Sequence, residues 1–285
     1  MLLELTSSSV SLVLVRISDD HAWRLGCPRG RELSAQDTVA AISQLADSLA
    51  SAIEPQAFDY LMGSKSLVAI FIDAWIAAMA ARGVSVEGPS GTISSFKQSF
   101  ATLATLPPPP PSLTQYRLEL ATAEDVGALA HLFSAFTAVW PNGGFSVEDA
   151  RPRMAAAVRF GEVWVHRVNG EIAGFCTTGR ATACTIAIRN LYVDPRHRRK
   201  GIAEALTMGM LRYYLGARPL GFEGAPDGPP AKGVKQEVCL NVGEDFVERL
   251  YTKCGFLFGE DAKDPITGKK AWIPLAICEV KILKE

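Results

Sequence analysis

One short stretch of the sequence combines cations, glycine and small residues in an order that can bind a phosphate group. Residues 196–200 read Arg-His-Arg-Arg-Lys and are followed closely by Gly201 and Ala203. Residues 191–193 before them are typical of a strand, and residues 201–215 have the apolar periodicity of a helix. The first turn of a helix carries about four unpaired N–H groups and partial positive charge. The stretch therefore predicts a site for a phosphate or pyrophosphate.

The same cations alone would be usual in a solvated loop or in a nucleic-acid-binding patch. Lysine plus arginine (29) almost balances aspartate plus glutamate (30), so the chain as a whole has no excess charge to attract nucleic acid or an anionic membrane. The signatures GxGxxG and GxxxxGK[ST] are absent, which argues against a Rossmann or P-loop site. We therefore expect local anion binding, with neither nucleic acid nor membrane as a partner.

The second half of the chain supplies the elements that must position this turn. Asn169-Gly170 favours a type I′ hairpin, Thr122 with Asp125 favours a capping box, and residues 216–235 form a long loop rich in glycine and proline. Strands are predicted at 116–120, 162–168, 171–178, 182–193 and 237–242, helices at 124–138, 146–160, 201–215 and 245–253, and a closing hairpin at 256–282.

Five consecutive prolines, residues 107–111, predict a stiff polyproline II spacer and the clearest domain boundary. We expect an N-terminal α/β domain at 1–106, a proline spacer at 107–112 and a second domain at 113–285. In the first domain the patterns predict a strand at 9–17, helices at 37–53 and 67–82, and a short strand at 84–88. At roughly 150 residues per domain, a length of 285 residues leaves room for two modest domains or one large one.

Two motifs resemble the GCN5-related N-acetyltransferases (GNAT). Residues 198–203 match the family's acyl-CoA motif R/Q-x-x-G-x-G/A behind Val193-Asp194-Pro195, and residues 250–256 are similar to its LYxKxGF segment. The resemblance covers residues 116–285. It implies an α/β fold with a mixed, V-splayed central sheet flanked by helices. Residues 82–89, leading towards Phe96 and Phe100, resemble a subgroup in which an eroded GNAT-like half precedes the active one and a Gly-Pro step leads into a helix.

The resemblance implies N-acetyl transfer from acetyl-CoA, as co-substrate, to an amine, without a metal. It assigns Tyr251 as the donor of a proton to the leaving thiolate. No general base carries over, because residues 187–190 read Ala-Ile-Arg-Asn. Glu244 stands where the family often has asparagine, and Asn241 is a substitute for it. The coenzyme-binding residues implied are Leu191, Tyr192, Val193, Arg198, Arg199, Lys200, Gly201, Ile202 and Ala203.

Several other polar residues have a structural interpretation beside a functional one. His131 and His166 lie on a predicted helix and strand, and we expect them to be structural or exposed. Glu148 and Asp149 can bind an amine, although acidic residues are common in a first helical turn for electrostatic reasons. Asp73 interrupts an apolar helix and is more typical of a solvent-facing position.

The expected acceptor is a small-molecule amine, and the protein is expected to be a monomer or a homodimer. Acetylation of a protein N-terminus or lysine is an alternative, as is a catalytically silent acyl-CoA-binding protein. The longest apolar run, residues 67–81, is shorter than the about 20 residues of a membrane span, and no secretory signal is evident. We expect a cytoplasmic protein whose six cysteines, without a CxxC pair, are mostly reduced core residues.

Overall fold

The computed structural model describes residues 2–4, 12–16, 22–27, 33–87, 94–140 and 144–283. The chain divides by its contacts into two units, which we describe separately. Unit 1 comprises Met1–Gln98 and Ile273–Glu285, and unit 2 comprises Ser99–Trp272. This division differs from the predicted boundaries, because the last residues of the chain pair with a strand of the first half and residues 99–112 belong to unit 2.

Unit 1 is a sheet with two helices. Its strands are β1 (Leu2–Glu4), β2 (Val13–Val15), β3 (Trp23–Gly26), β4 (Tyr60–Ser64) and β12 (Trp272–Glu279), hydrogen-bonded in that order. Helix α1 (Ala35–Ala52) connects β3 to β4, which are parallel, and α2 (Lys65–Ala80) follows β4. Strands β5 (Val86–Glu87) and β13 (Lys281–Ile282) form a separate antiparallel pair. Trp75, Phe58 and Phe71 pack together in the core.

Unit 2 has a mixed sheet with helices on both faces. It contains β7 (Leu118–Leu120), α3 (Val126–Thr137), α4 (Val147–Arg159), β8 (Val163–Val168), β9 (Glu171–Gly179), β10 (Thr185–Val193), α5 (Ile202–Tyr214), β11 (Glu237–Val242) and α6 (Asp245–Lys253). The strand order is β7-β8-β9-β10-β11, followed by β6 (Ser94–Thr102). All the pairs from β7 to β10 are antiparallel, and β10 and β11 are parallel. The mixed α/β fold class is therefore confirmed.

Two apolar layers hold the sheet of unit 2 between its helices. Cys176 and Trp164 on one face pack in a cluster with Leu206 of α5. Phe175 on the other face belongs to a cluster with Phe133 of α3 and residues of α4. Because side chains of a strand alternate between faces, β9 contributes to both layers.

Several local predictions agree with the observed elements. The strand at 237–242 and the helix at 245–253 have the predicted bounds. Asn169 and Gly170 have φ angles of 52° and 84°, as a type I′ turn requires. Thr122 and Asp125 form the reciprocal capping box.

Other predictions are wrong where the pairing partner is distant in sequence. Residues 256–271 hold no strand, so the closing hairpin at 256–282 does not form; β12 instead pairs antiparallel with β4. Phe96 and Phe100 lie in strand β6, whereas the resemblance placed them towards a helix. Cys176, Cys254 and Cys278 are buried, but Cys27 and Cys184 are exposed, so fewer cysteines are core residues than expected. Residues 9–11 and 17 of the predicted first strand lie outside the described residues.

The proline segment packs within unit 2. Arg212 of α5 is 4% exposed, and its guanidinium donates to Pro107 O at 3.2 Å and to Pro219 O at 2.7 Å. Burial lowers the pKa of Arg212. Pro110 has polyproline II angles (φ −65°, ψ 144°), and a short 3₁₀ turn at Pro111–Gln115 follows it. The prolines thus lead into a turn that is fixed beside α5.

We expect a buried carboxylate to make the stability of the protein acid-sensitive. Asp125 is 8% exposed, accepts from Thr122 N at 2.8 Å and pairs with Arg167 Nη2 at 2.8 Å. Burial acts to raise the pKa of Asp125, but the bonds from Thr122 and Arg167 outweigh it and hold that pKa below its ordinary value. A lowered folded pKa gives stability above the unfolded pKa of about 3.9 that is lost as pH falls through the folded value.

We therefore expect the free energy of unfolding in urea to fall as pH is lowered from about 5 to 3. Asp125→Asn should cost about 1–3 kcal/mol at pH 7, because it removes a hydrogen-bonded charge, and should make the acid dependence shallower. Asp227→Asn, at an exposed position, is the matched control and should change neither quantity. An unchanged acid slope in Asp125→Asn would contradict this account.

Within the part of the chain that the structure describes, no helix is both long and apolar enough to cross a bilayer.

Candidate active site

Strands β10 and β11 separate partway along their length. Their parallel pairing runs from Thr185↔Glu237 to Ala187↔Cys239, whereas β10 itself continues to Val193. The other edge of β10 stays paired with β9 through Val193, so only the β11 side opens. The predicted splay of the central sheet corresponds to this opening beyond residue 187.

The backbone of β10 directs two N–H groups into this opening. Asp194 N donates to Ala173 O, on the β9 side, at 3.0 Å. Alternate residues of an antiparallel strand bond to the same neighbour, so the N–H of Tyr192 also faces β9. The N–H groups of Leu191 and Val193 consequently face the opposite edge, where pairing with β11 has ended. The resemblance implies three coenzyme-binding residues here, Leu191, Tyr192 and Val193. Of these, Leu191 and Val193 can donate to a ligand from their backbone N–H groups.

A bulge sets this alternation. The register of β9 and β10 shifts between Ile188 and Asn190, which leaves Arg189 as the extra residue. The side chain of Asn190 donates to Thr177 Oγ1 at 2.9 Å. The bulge thus lies within β10, two residues before Leu191.

The turn between β10 and α5 is stabilised by its own side chains. Asp194 Oδ1 accepts from Arg196 N at 2.9 Å, and its carboxylate pairs with the Arg196 guanidinium at 2.9 Å. The hydrogen bond from Arg196 lowers the pKa of Asp194. Arg198 Nε donates to Val193 O at 3.1 Å. The guanidinium of Arg196 is thus paired within the turn, while Arg198, Arg199 and Lys200 are exposed to solvent.

The backbone of the turn ends in a left-handed glycine that begins α5. Arg199 and Gly201 have φ angles of 63° and 77°, and Gly201 is the N-cap of α5. No side chain caps this end, and the first intrahelical bond runs from Ala205 N to Gly201 O at 2.9 Å. The N–H groups of residues 202–204 therefore have no partner within the helix and point out of its N-terminus.

Tyr116 fixes the position of this glycine, a role that sequence patterns did not indicate. Its hydroxyl donates to Lys200 O at 2.6 Å. A Cβ added to Gly201 would lie 2.5 Å from the same hydroxyl oxygen. Close contact and a positive φ both require glycine here.

Tyr251 lies on α6 and is 8% exposed. Its ring meets Phe256 edge-on with centroids 5.8 Å apart. Tyr251 shares an apolar cluster with Cys176 and Leu191, which are paired across β9 and β10. Burial raises the pKa of Tyr251, and the thiols of Cys176 and Cys254 raise it further. The hydroxyl therefore stays protonated at neutral pH.

Other candidate residues have structural surroundings. His166 Nδ1 is 3.1 Å from Arg117 O, and His131 is exposed. Asp149 Oδ2 accepts from the Ser146 hydroxyl at 2.6 Å, as in a helix cap, and Glu148 is exposed beside it.

Asp73 is exposed in unit 1, which agrees with its interpretation as a solvent-facing residue. Asn241 and Glu244 are also exposed, at the end of β11 and before α6.

Comparison with known proteins identifies the kind of domain that the two sequence motifs resemble. The family model "Acetyltransferase (GNAT) domain" matches residues 159–256. No curated protein sequence matches the chain. A conserved protein from Staphylococcus epidermidis, whose function is described as unknown, has a similar structure: the identity is 12%, 97% of this chain and 94% of that chain are covered, and the TM-score is 0.51.

A GNAT-family acetyltransferase from Colwellia psychrerythraea is 13% identical, with 98% of this chain and 84% of that chain covered and a TM-score of 0.51. A tandem GNAT protein from the clavulanic acid biosynthesis pathway is 15% identical, with 96% and 81% covered and a TM-score of 0.45. The segment that the family model matches, residues 159–256, includes β10, the basic turn, α5 and Tyr251. Residues 159–256 are therefore similar in sequence to the GNAT acetyltransferase domain, and the chain has the fold of that family.

Proposed function

We propose that this protein is an N-acetyltransferase that moves an acetyl group from acetyl-CoA to the amine of a small molecule. The observation that carries the proposal is the junction of β10 and α5. There, two outward-facing N–H groups of β10, the uncapped N-terminus of α5 and three exposed cations lie along one continuous piece of backbone.

The residues of this junction fit a ligand with a pyrophosphate at one end. The N–H groups of Ile202, Ala203 and Glu204 would bind the pyrophosphate, because a helix N-terminus favours an anion. Arg198, Arg199 and Lys200 would balance its charge. The N–H groups of Leu191 and Val193 would hold the pantetheine and the thioester oxygen in the gap beside β10.

Acetyl-CoA supplies an activated thioester in this scheme. The protein would align that thioester with the acceptor amine, and alignment of two reactants can supply about 7–11 kcal/mol of barrier reduction. The N–C bond forms as the C–S bond breaks. Tyr251 would donate its proton to the departing sulfur, the amine would lose its own proton to solvent, and the Tyr251 phenolate would regain a proton from solvent.

The silent acyl-CoA-binding alternative is favoured by one observation. No carboxylate occupies residues 187–190, and the Asn190 amide is bonded to Thr177. An enzyme with this arrangement depends on an acceptor whose amine is already neutral or is deprotonated by water.

If the protein is an enzyme, we accordingly expect transfer rates to rise with pH through the pKa of the acceptor amine.

A release assay for free thiol tests the proposal and separates the alternatives. The full-length protein is incubated with acetyl-CoA and, in turn, with a panel of small amines and a panel of peptides. Thiol release that depends on small amines supports the proposal. Release with peptides alone would assign protein acetylation instead. Calorimetric binding of acetyl-CoA without any release would assign the silent binding protein.

We further infer that unit 1 is a degenerate copy of the acetyltransferase fold. In unit 1, the antiparallel pair β2–β3 is followed by α1, by β4 parallel to β3 and by α2. In unit 2, the antiparallel pair β9–β10 is followed by α5, by β11 parallel to β10 and by α6. The shared order supports this inference. Cytoplasmic location and a monomeric or homodimeric state stay predictions.

A further inference from the structure

Four aromatic rings lie next to one another between the end of α3 and strand β10. The Phe136 ring meets the Tyr192 ring edge-on, with centroids 6.0 Å apart. Trp140 meets Phe136 edge-on at 5.8 Å, and Phe145 meets Trp140 edge-on at 6.1 Å. Trp140 is 41% exposed, and the other three residues are half-buried. We call these four residues the aromatic patch, and none of their rings takes part in the proposed transfer.

The aromatic patch is held in place before any ligand binds. Phe145 N donates to Thr137 Oγ1 at 3.0 Å, and this threonine is fully buried at the end of α3. Gly144 has a φ of 69°, and a Cβ added to it would lie 2.5 Å from Thr137 O, so its backbone packs closely against α3. The Phe145 ring also stacks on Phe133, with centroids 5.8 Å apart. A preformed surface of this kind costs little ordering entropy when a ligand binds.

The aromatic patch lies on the opposite face of the sheet from Tyr251. Tyr192 pairs with Phe175 of β9, and both rings belong to the apolar cluster with α3 and α4. Tyr251 instead packs with Leu191 in the cluster with α5. In the proposed reaction the sulfur leaves towards Tyr251, so the amine has to approach the thioester from the other face. The side chain of Tyr192 would therefore lie beside the acceptor.

Asn190 places a polar group on the same face of β10 as Tyr192. Side chains of a strand alternate between faces, so residues 190 and 192 share one. Asn190 Nδ2 donates to Thr177 Oγ1 at 2.9 Å, which orients the amide so that its oxygen can accept a hydrogen bond from an amine N–H. An amide does not take up a proton at neutral pH. Asn190 would therefore orient the amine without acting as its base.

The charges around the aromatic patch favour one cationic group on the acceptor over two. The Arg198 guanidinium lies 5.6 Å from the centroid of the Tyr192 ring and would repel a second ammonium group there. Glu148 and Asp149 are exposed on α4 beside Phe145 and can attract a cationic amine from solution. The surface near β10 thus combines aromatic rings with a cation, which suits an apolar substituent on the amine.

We infer that the acceptor amine carries an aromatic ring that binds to the aromatic patch. The inference rests on the proposed function, because it concerns the second substrate of that reaction. Aromatic rings prefer edge-to-face or offset contacts, and the rings of the aromatic patch already meet edge-on, so a ligand ring can extend the same arrangement. Its binding also removes apolar surface of Trp140 from water. The expected acceptors are arylalkylamines.

The test compares three primary amines in the free-thiol assay with acetyl-CoA and the full-length protein. 2-Phenylethylamine carries a ring, butylamine lacks it, and 1,4-diaminobutane has a second cation in its place. We expect kcat/KM to be at least about tenfold higher for 2-phenylethylamine than for either of the others, since even one methylene in an apolar site is worth about 10–200-fold. Calorimetry on the three amines without acetyl-CoA should give the same order of affinities.

Two variants remove rings from the aromatic patch. Phe136→Leu and Trp140→Ala should reduce the ratio of kcat/KM for 2-phenylethylamine to that for butylamine to near one, while the value for butylamine is retained. A purely structural role of these rings would instead lower both values equally. Phe160→Ala is the matched control, since Phe160 is 58% exposed at the end of α4 and its ring lies against the Arg159 guanidinium. It should keep the wild-type ratio.

Equal kcat/KM values for 2-phenylethylamine and butylamine with wild-type protein would overturn the inference and leave the proposed function intact. A preference for 1,4-diaminobutane would also overturn it and would indicate recognition of a second cation by Glu148 and Asp149. An unchanged ratio in both ring variants would place the substituent elsewhere and overturn it as well. Tighter calorimetric binding of 2-phenylethylamine without thiol release from any amine would overturn the proposed function alone.

Discussion

Gly201→Glu should abolish the binding of acetyl-CoA. The substitution acts in three ways at one position. A side chain at a φ of 77° is strained, its Cβ would lie 2.5 Å from the Tyr116 hydroxyl oxygen, and its carboxylate would repel a pyrophosphate from the N-terminus of α5. We expect a loss of affinity of at least 100-fold, about 2.7 kcal/mol or more, measured by calorimetry on the folded protein.

The control for this experiment uses the same substitution at a similar backbone conformation. Gly228 has a φ of 87° and nothing within 4 Å of an added Cβ, so Gly228→Glu imposes comparable strain away from the turn. It should bind acetyl-CoA with wild-type affinity. Unchanged affinity in folded Gly201→Glu would show that the pyrophosphate does not bind at this helix terminus.

Tyr251→Phe should lower kcat by about 10- to 1,000-fold and leave the affinity for acetyl-CoA nearly intact. The variant removes a single oxygen from a ring that packs against Phe256. Burial raises the pKa of Tyr251, so the wild-type hydroxyl holds its proton at neutral pH. In the proposed reaction this proton passes to the leaving thiolate. Steady-state kinetics with an active amine, together with calorimetry, measure the two quantities.

Tyr213→Phe is the matched control for this variant. Tyr213 is 5% exposed in the same unit, and burial likewise raises its pKa, but its ring packs against Trp164. Its kcat should equal that of the wild type. Loss of binding or of folding in Tyr251→Phe would identify Tyr251 as a packing residue, and an unchanged kcat would show that the thiolate leaves without its help.

Local chemistry explains the features that the sequence predicted well. The φ preference of Asn169-Gly170 specifies a turn, and the side chains of Thr122 and Asp125 specify a helix start, because each acts on a backbone within three residues. The basic turn follows the same rule. Its left-handed glycine begins α5 as predicted, and the anion site stays a prediction.

Strand partners depend on residues far apart in the chain, and here sequence patterns gave no guidance. Strands β3 and β4 have only four and five residues, too few for a clear alternation. Strand β12 pairs with β4 across more than 200 residues, so an apparent terminal hairpin was in fact a strand of unit 1. The bulge at Arg189 is likewise visible only in the pairing with β9.

The sequence alone determined the family resemblance and the prediction of a phosphate site at the basic turn, since each depends on residue type and short-range spacing. Only the tertiary structure decided which N–H groups of β10 face the opening, how deeply Tyr251 is buried and that Tyr116 contacts Gly201. It alone showed that the rings of Phe136 and Tyr192 meet in one aromatic patch. These features arise from contacts between distant segments, and the free energy of such contacts is not encoded in any single stretch of the chain.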